Sequence, residues 1–189
     1  MKKNILIVGG TGQFGITLTN LLSHRYKIII TTRNIFKAKK IYNNTKNVKL
    51  KKLNILNKKE IFNLLNKFKP KIIFYLAGQS SPKLSFLKDL ETHKSNFLGC
   101  KYFLETISNY KINTKFLNAS SSEIFGESRN KLSLNSKKKP ISPYGFAKLN
   151  SYKITKHYRE NKNLNAYNAI IFNTESDHRN INYVIPKIC

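Results

Sequence analysis

Four residues of types that move protons lie in two short runs of the chain. Tyr144 and Lys148 stand in "SPYGFAK", and Ser121 and Glu123 stand in "NASSSEIFG". The Y-x-x-x-K spacing puts a phenol and an ammonium on one face of a helix. There the cation lowers the phenol's pKa from about 10 and makes it a usable base. The apolar run 115–119 reads as a strand, so Ser120, Ser121, Ser122 and Glu123 fall at its C-terminal end. That is the edge at which open α/β sheets bind ligands. A serine hydroxyl there can hydrogen-bond the same substrate oxygen that Tyr144 deprotonates. Each residue also has a plainer reading. Serines cap turns and helices, tyrosines pack, lysines solvate a surface, and Glu123 taken alone is better explained by an ion pair with one of many lysines.

A second feature is the turn "VGGTGQFG", in which Gly9, Gly12 and Gly15 follow the first apolar strand and open an amphipathic helix. Glycines in that context let a turn close tightly and let backbone approach a pyrophosphate, while the helix N-terminus offers unpaired N–H groups. Gly9, Thr11, Gly12, Gln13, Phe14 and Gly15 are therefore candidate dinucleotide contacts. An NAD enzyme usually carries an acid at the end of the second strand to hold the ribose 2′-hydroxyl. Here the sequence is "TTRN", so Arg33 favours the 2′-phosphate of NADP over NAD.

These residues need a scaffold, and the apolar pattern supplies one. Runs at 4–8, 27–31, 47–53, 71–76, 115–119 and 168–172 read as strands. Stretches with helical apolar spacing, such as 14–24 and 58–68, lie between most of them. Residues 88–110 read as one long helix with Leu90, Phe97, Phe103, Leu104 and Ile107 facing inward. Repeated β-α units predict a parallel sheet with helices on both faces, within one domain over residues 1–189.

The chain has 189 residues, of which 40% are hydrophobic, too many for a disordered chain. Its 35 Lys plus Arg against 9 Asp plus Glu give a formal charge of +26, a balance usually associated with nucleic acid. The lysines, however, are spread along the chain, and the densest run is only Lys137-Lys138-Lys139. Lys, Asn and Ile are also the residues an AT-rich genome over-uses. Nucleic acid is therefore not the expected partner, although a broad positive field would draw in an anionic small substrate. Cys100 and Cys189 form no CxxC or Cys/His cluster, so neither a disulfide framework nor a metal site is expected. No run approaches the ~18 apolar residues of a membrane span, and "MKKNILIVGG" breaks too early for a signal peptide. A cytoplasmic protein is expected.

Taken together, the glycine turn, the strand-end serine and the Y-x-x-x-K pair resemble the extended short-chain dehydrogenase/reductase family of NAD-dependent epimerases and dehydratases. The segments "YLAGQSSPKLSF", "NASSSEIFGES", "SPYGFAKLNSY", "HYRENKNLNA" and "IFNTES" are similar, in order and spacing, to the GDP-mannose 4,6-dehydratases. The resemblance implies a Rossmann-like doubly wound parallel sheet and, in full-length members, a smaller C-terminal substrate domain that is missing here. It implies a lyase acting on GDP-mannose with NADP. Tyr144 would take the 4-hydroxyl proton, Lys148 would tune it, Ser121 would bond the same oxygen, and Glu123 would serve as the C5 base.

The resemblance also places Asn54 and Ile55, together with Leu76, Ala77 and Gly78 ahead of Gln79, near the cofactor. It places Ser81, Asn173 and Lys187 near the nucleotide sugar. The chain departs from the family pattern at several points. Asn54-Ile55 stands for an Asp-Leu pair, Thr174 for a His and Asp177 for a Pro, and only Arg179 remains of an Arg-rich loop that helps form tetramers. With the chain about half a typical member, a homo-oligomer or a partner supplying the remainder is implied. Two other outcomes remain open from the sequence: another nucleotide-sugar epimerase or reductase of the same fold, and a non-catalytic NADP-binding remnant or partner subunit.

Overall fold

Six short runs rich in Ile, Leu and Val pair side by side, all parallel, in the order β3-β2-β1-β4-β5-β6. The computed structural model describes residues 2–178. The strands are β1 (Asn4–Val8), β2 (Lys27–Thr32), β3 (Val48–Lys52), β4 (Ile72–Tyr75), β5 (Lys115–Ser121) and β6 (Ala166–Ile171). Parallel strands covered on both faces read as continuous apolar runs rather than alternating ones. This is why "NILIV" and "KIIIT" are buried along nearly their whole length. The outer strand β3 carries Lys49, Lys51 and Lys52 instead, a charged edge that discourages pairing with other chains.

The connections are helices α1 (Gln13–Leu22), α2 (Ile35–Tyr42), α3 (Lys58–Phe68), α4 (Pro82–Ser85), α5 (Asp89–His93), α6 (Gly99–Asn109) and α7 (Pro143–Lys162). On one face of the sheet, side chains of α1 and α2 pack on Ile5, Ile7, Ile28 and Ile30. On the other, α3, α6 and α7 close over Leu6, Val8, Ile73 and Phe116. The sheet is thus doubly wound, as the alternation of patterns predicts.

The segment read as one helix over 88–110 is helical from Asp89 to Asn109, but a π-helical turn, Lys94–Leu98, interrupts it. An extra residue in a helical turn rotates the residues before it by about 100° relative to those after it. The inward stripe therefore holds only in α6, where Phe103, Leu104 and Ile107 are buried. Leu90 is 61% exposed and Phe97 only half-buried, which corrects the sequence expectation for both. The π turn is tied to the sheet by Tyr75, whose hydroxyl donates to the Ser95 carbonyl at 2.8 Å. Tyr75 in turn packs edge-on against Phe103, with ring centroids 5.6 Å apart.

Candidate functional site

The strand order reverses between β1 and β4, and at such a switch point the two loops leaving the strands diverge and open a crevice. Gly9 ends β1 with φ +83°, and a Cβ there would lie 2.7 Å from the Ala77 backbone. Only glycine lets the two loops meet this closely in this conformation. Beside them opens a cleft of about 650 Å³, bordered by the glycine turn, the ends of β4, β5 and β6, and the start of α7. Helix α1 begins at this cleft with Gly12 as its N-cap and no side-chain cap, so its first-turn N–H groups are available to an anion.

On the opposite wall β5 delivers its serines. Ser121 ends the strand, and its Oγ accepts from the Glu123 N–H at 3.3 Å, capping a 3-10 turn, Ser122–Ile124. That bond leaves the Ser121 O–H to donate into the cleft. The same turn presents Glu123 to the cleft. Among the described residues the Glu123 carboxylate has no basic side chain at ion-pair distance. The ion pair that could have explained this glutamate away is therefore not made there.

Helix α7 brings the other two groups. Ser142 caps it, accepting from the Gly145 N–H at 3.0 Å, and Pro143 occupies its first turn. Tyr144 is buried, and its N–H donates to Ser85 Oγ at 3.1 Å. Gly145 is where the helix presses on the Glu123 segment: a Cβ there would lie 2.8 Å from the Glu123 carbonyl and 2.9 Å from Pro140. Gly145→Ala must push these segments apart. It is expected to cost about 1–3 kcal/mol of stability, measured by denaturant unfolding.

Lys148, one turn on, is buried, with Nζ 5.7 Å from the centre of the Tyr144 ring and donating to the Ala119 carbonyl at 2.7 Å. Burial pulls its ammonium down to about 8. Behind it lies Cys100, whose thiol burial pushes up to about 12 against a weak contact with Thr155.

The arrangement brings a phenol, a buried ammonium, a hydroxyl and a carboxylate to one cleft, beside a glycine turn and an uncapped helix start. The family model described as GDP-mannose 4,6 dehydratase matches residues 6–189. The chain belongs to the GDP-mannose 4,6-dehydratase family. The human GDP-mannose 4,6 dehydratase is 44% identical over 78 residues, a stretch covering 39% of this chain and 20% of that relative. The fungal GDP-mannose 4,6-dehydratase sdnI of Sordaria araneosa is 36% identical over 108 residues, covering 56% of this chain and 20% of that protein. The matched stretches thus span about a fifth of those relatives' length. Among solved structures, UDP-N-acetylglucosamine 4-epimerase from Methanobrevibacter ruminantium M1 superposes with a TM-score of 0.85 at 24% identity, over 98% of this chain and 60% of that one. At that identity the likeness is one of fold.

Most of the cofactor and sugar positions expected from sequence border the cleft: Gly9, Thr11, Gly12, Gln13, Phe14 and Gly15 of the turn, then Leu76, Gly78 and Asn173 of those the resemblance implies. Others do not. Ala77 underlies Gly9, and Ile55 packs into the core beside Gly99. Asn54 closes a local turn, accepting from the Leu56 N–H at 3.0 Å. Ser81 caps α4, with its Oγ accepting from the Leu84 N–H. Arg33 points away from the cleft to Glu91, 3.3 Å from its carboxylate. Arg179 and Lys187 lie outside the described residues.

Sequence reasoning missed Lys37, Gln79 and Asn96, which also line the cleft, and gave Ser120 no role beyond the serine run. No sequence signal pointed to Asn96: it sits on the π turn that interrupts a segment of continuous helical period, and it borders the crevice. Among the described residues, Gln13 Oε1, Asn96 Oδ1 and Ser120 Oγ are buried there without a hydrogen-bond partner. Three orphaned polar atoms around one cleft are what a polar ligand would satisfy. Among the described residues no cluster of His, Cys, Asp and Glu could hold a metal, and no helix is long and apolar enough to cross a membrane.

Proposed function

We propose that the chain is an NADP-dependent nucleotide-sugar 4,6-dehydratase acting on GDP-mannose, built on a single dinucleotide-binding domain over residues 1–189. One observation carries the reading: Glu123, without an ion-pair partner among the described residues, shares the cleft with Ser121, Tyr144 and Lys148. The glycine turn, the uncapped α1 N-terminus and the orphaned Gln13, Asn96 and Ser120 atoms fit a dinucleotide. Held between the glycine turn and Tyr144, a nicotinamide would supply hydride exchange, as acceptor at the sugar's C4 and donor at C6.

The chain's own residues manage the protons. Tyr144, with the Lys148 Nζ 5.7 Å from its ring centre, removes the proton of the 4-hydroxyl, and Ser121 donates to the same oxygen. The 4-ketone so formed acidifies the C5–H bond. Glu123 removes that proton and passes it to the departing 6-hydroxyl, which leaves as water; the proton that Tyr144 took from the 4-hydroxyl balances, by way of solvent, the one C5 regains, so both bases are restored. The phenol and the carboxyl ionise in different ranges, so each can act in its own step. A 4-epimerase or reductase of the same fold has no elimination step and needs no such carboxylate, so Glu123 favours the dehydratase. The proposed setting is a reducing cytoplasm, in keeping with the unpaired, buried Cys100. The nucleotide end of the sugar would be held in part by chain beyond the described residues, a second copy or a partner subunit.

Cofactor binding is tested with Gly12→Trp. A Cβ at Gly12 meets only the Gly9 carbonyl, at 3.7 Å, so the indole fills the cleft without disturbing the core. Wild type is expected to raise NADPH fluorescence saturably and the variant to lose that response. An equal or absent response in both would refute the dinucleotide reading. Incubation with GDP-mannose then separates an enzyme, which forms a 4-keto-6-deoxy product detectable by mass, from an NADP-binding subunit without activity.

A further inference from the structure

We infer that Lys37, and not Arg33, is the residue that selects the adenosine 2′-phosphate, an inference that rests on the dinucleotide reading above. The residue expected from sequence to do this is displaced from the site. The Arg33 side chain is 82% exposed, lies outside the cleft, and is held by Glu91 of α5 at 3.3 Å. Glu91 is also 3.9 Å from Lys88, so Arg33 belongs to a surface charge cluster. Lys37 takes its place. It stands in the first turns of α2, the helix after β2, and lines the same cleft as Gly9, Thr11 and Gly12.

The backbone under Lys37 is pinned: Asn34 caps α2, and its Oδ1 accepts from the Lys37 N–H at 2.9 Å. No acid opposes the lysine, because among the described residues the only carboxylate lining the cleft is Glu123, on the β5 wall. A ribose 2′-hydroxyl there finds no carboxylate to hold it, whereas a 2′-phosphate finds an ammonium. Lysine suits this role as a mobile point charge with three donors.

The test titrates the full chain with NADPH and with NADH by fluorescence. Wild type is expected to bind NADPH about tenfold or more tightly than NADH. Lys37→Glu should abolish that ratio while NADH affinity is kept, and Lys37→Arg should preserve it. Arg33→Ala should leave the ratio within about twofold. Lys39→Glu, the same charge change on an exposed neighbour of α2 that does not line the cleft, controls for the general field of so basic a chain. The inference is overturned if Arg33→Ala abolishes the ratio and Lys37→Glu does not, if Lys39→Glu lowers it as much as Lys37→Glu, or if wild type binds both dinucleotides equally. In each of those cases the dinucleotide reading stands. If wild type binds neither, that reading fails and the inference falls with it.

Discussion

Glu123→Gln is expected to bind NADPH as wild type does while slowing formation of the 4-keto-6-deoxy product from GDP-mannose by about 10²–10⁴-fold, the usual effect of removing a general acid–base group. The amide keeps the shape of the side chain and cannot take a proton. Because the carboxylate makes no ion pair among the described residues, its replacement breaks no bridge there and should shift thermal unfolding little. Oxidation at C4 does not use Glu123, so the variant should still reduce bound NADP in a single turnover, seen as NADPH absorbance. Solvent deuterium should then fail to enter the sugar at C5. Unchanged turnover, or loss of the first oxidation together with the second step, would remove the role assigned to Glu123.

The second large effect lies in the pair on α7. Tyr144→Phe should abolish C4 oxidation by a factor of about 10²–10⁴, with the buried ring still filling its place in the fold. Lys148→Met should do the same and also change how stability depends on pH. Burial lowers the folded-state pKa of Lys148 to about 8, from an ordinary 10.5. Between those values the unfolded chain holds a proton at this position that the folded chain has released. Stability contributed by this group therefore rises with pH from about 8 toward 10.5. Below about pH 8 both states are protonated, and the full cost of burying the charge is felt. Relative to Lys148→Met, wild type should gain stability as pH is raised through that window, read from urea midpoints at several pH values. In catalysis the sign is opposite. The ammonium is the form that assists Tyr144, so the rate of C4 oxidation should fall as pH passes about 8. A wild-type and Met difference that does not move with pH would show that Lys148 is not held as a buried charge.

The positions of the groups proposed to react were legible because their relations are local. Y-x-x-x-K fixes a shared helix face whatever surrounds it, and "NASSSE" places Ser121 and Glu123 at a strand end because the apolar run before it can only be a strand in a β-α pattern. The glycine turn was legible for a similar reason: strand, tight turn and helix succeed one another without interruption. The six strands were found, with limits shifted by a residue or two.

The wall of the cleft beside the glycine turn was read less well. Arg33 was chosen because it comes directly after β2, but its direction depends on Glu91, 58 residues away in sequence, and no local pattern encodes that partner. Lys37 borders the cleft because of how α2 packs on β1 and β2. The helical period over 88–110 suggested one continuous stripe, and a single π turn divided it, exposing Leu90 and aiming Asn96 into the crevice.

The types and spacings of residues by themselves determined the fold class, the glycine turn between β1 and α1, and the placing of Ser121 and Glu123 at a strand end and of Tyr144 and Lys148 on one helix, since each is a property of a few consecutive residues. Only the tertiary structure decided that Glu123 stands without an ion-pair partner among the described residues, that Lys148 is buried enough to titrate near 8, and that Lys37 rather than Arg33 faces the cleft. Those are questions of which distant side chains share a space and how much water is left between them, and the order of strands in the sheet sets both.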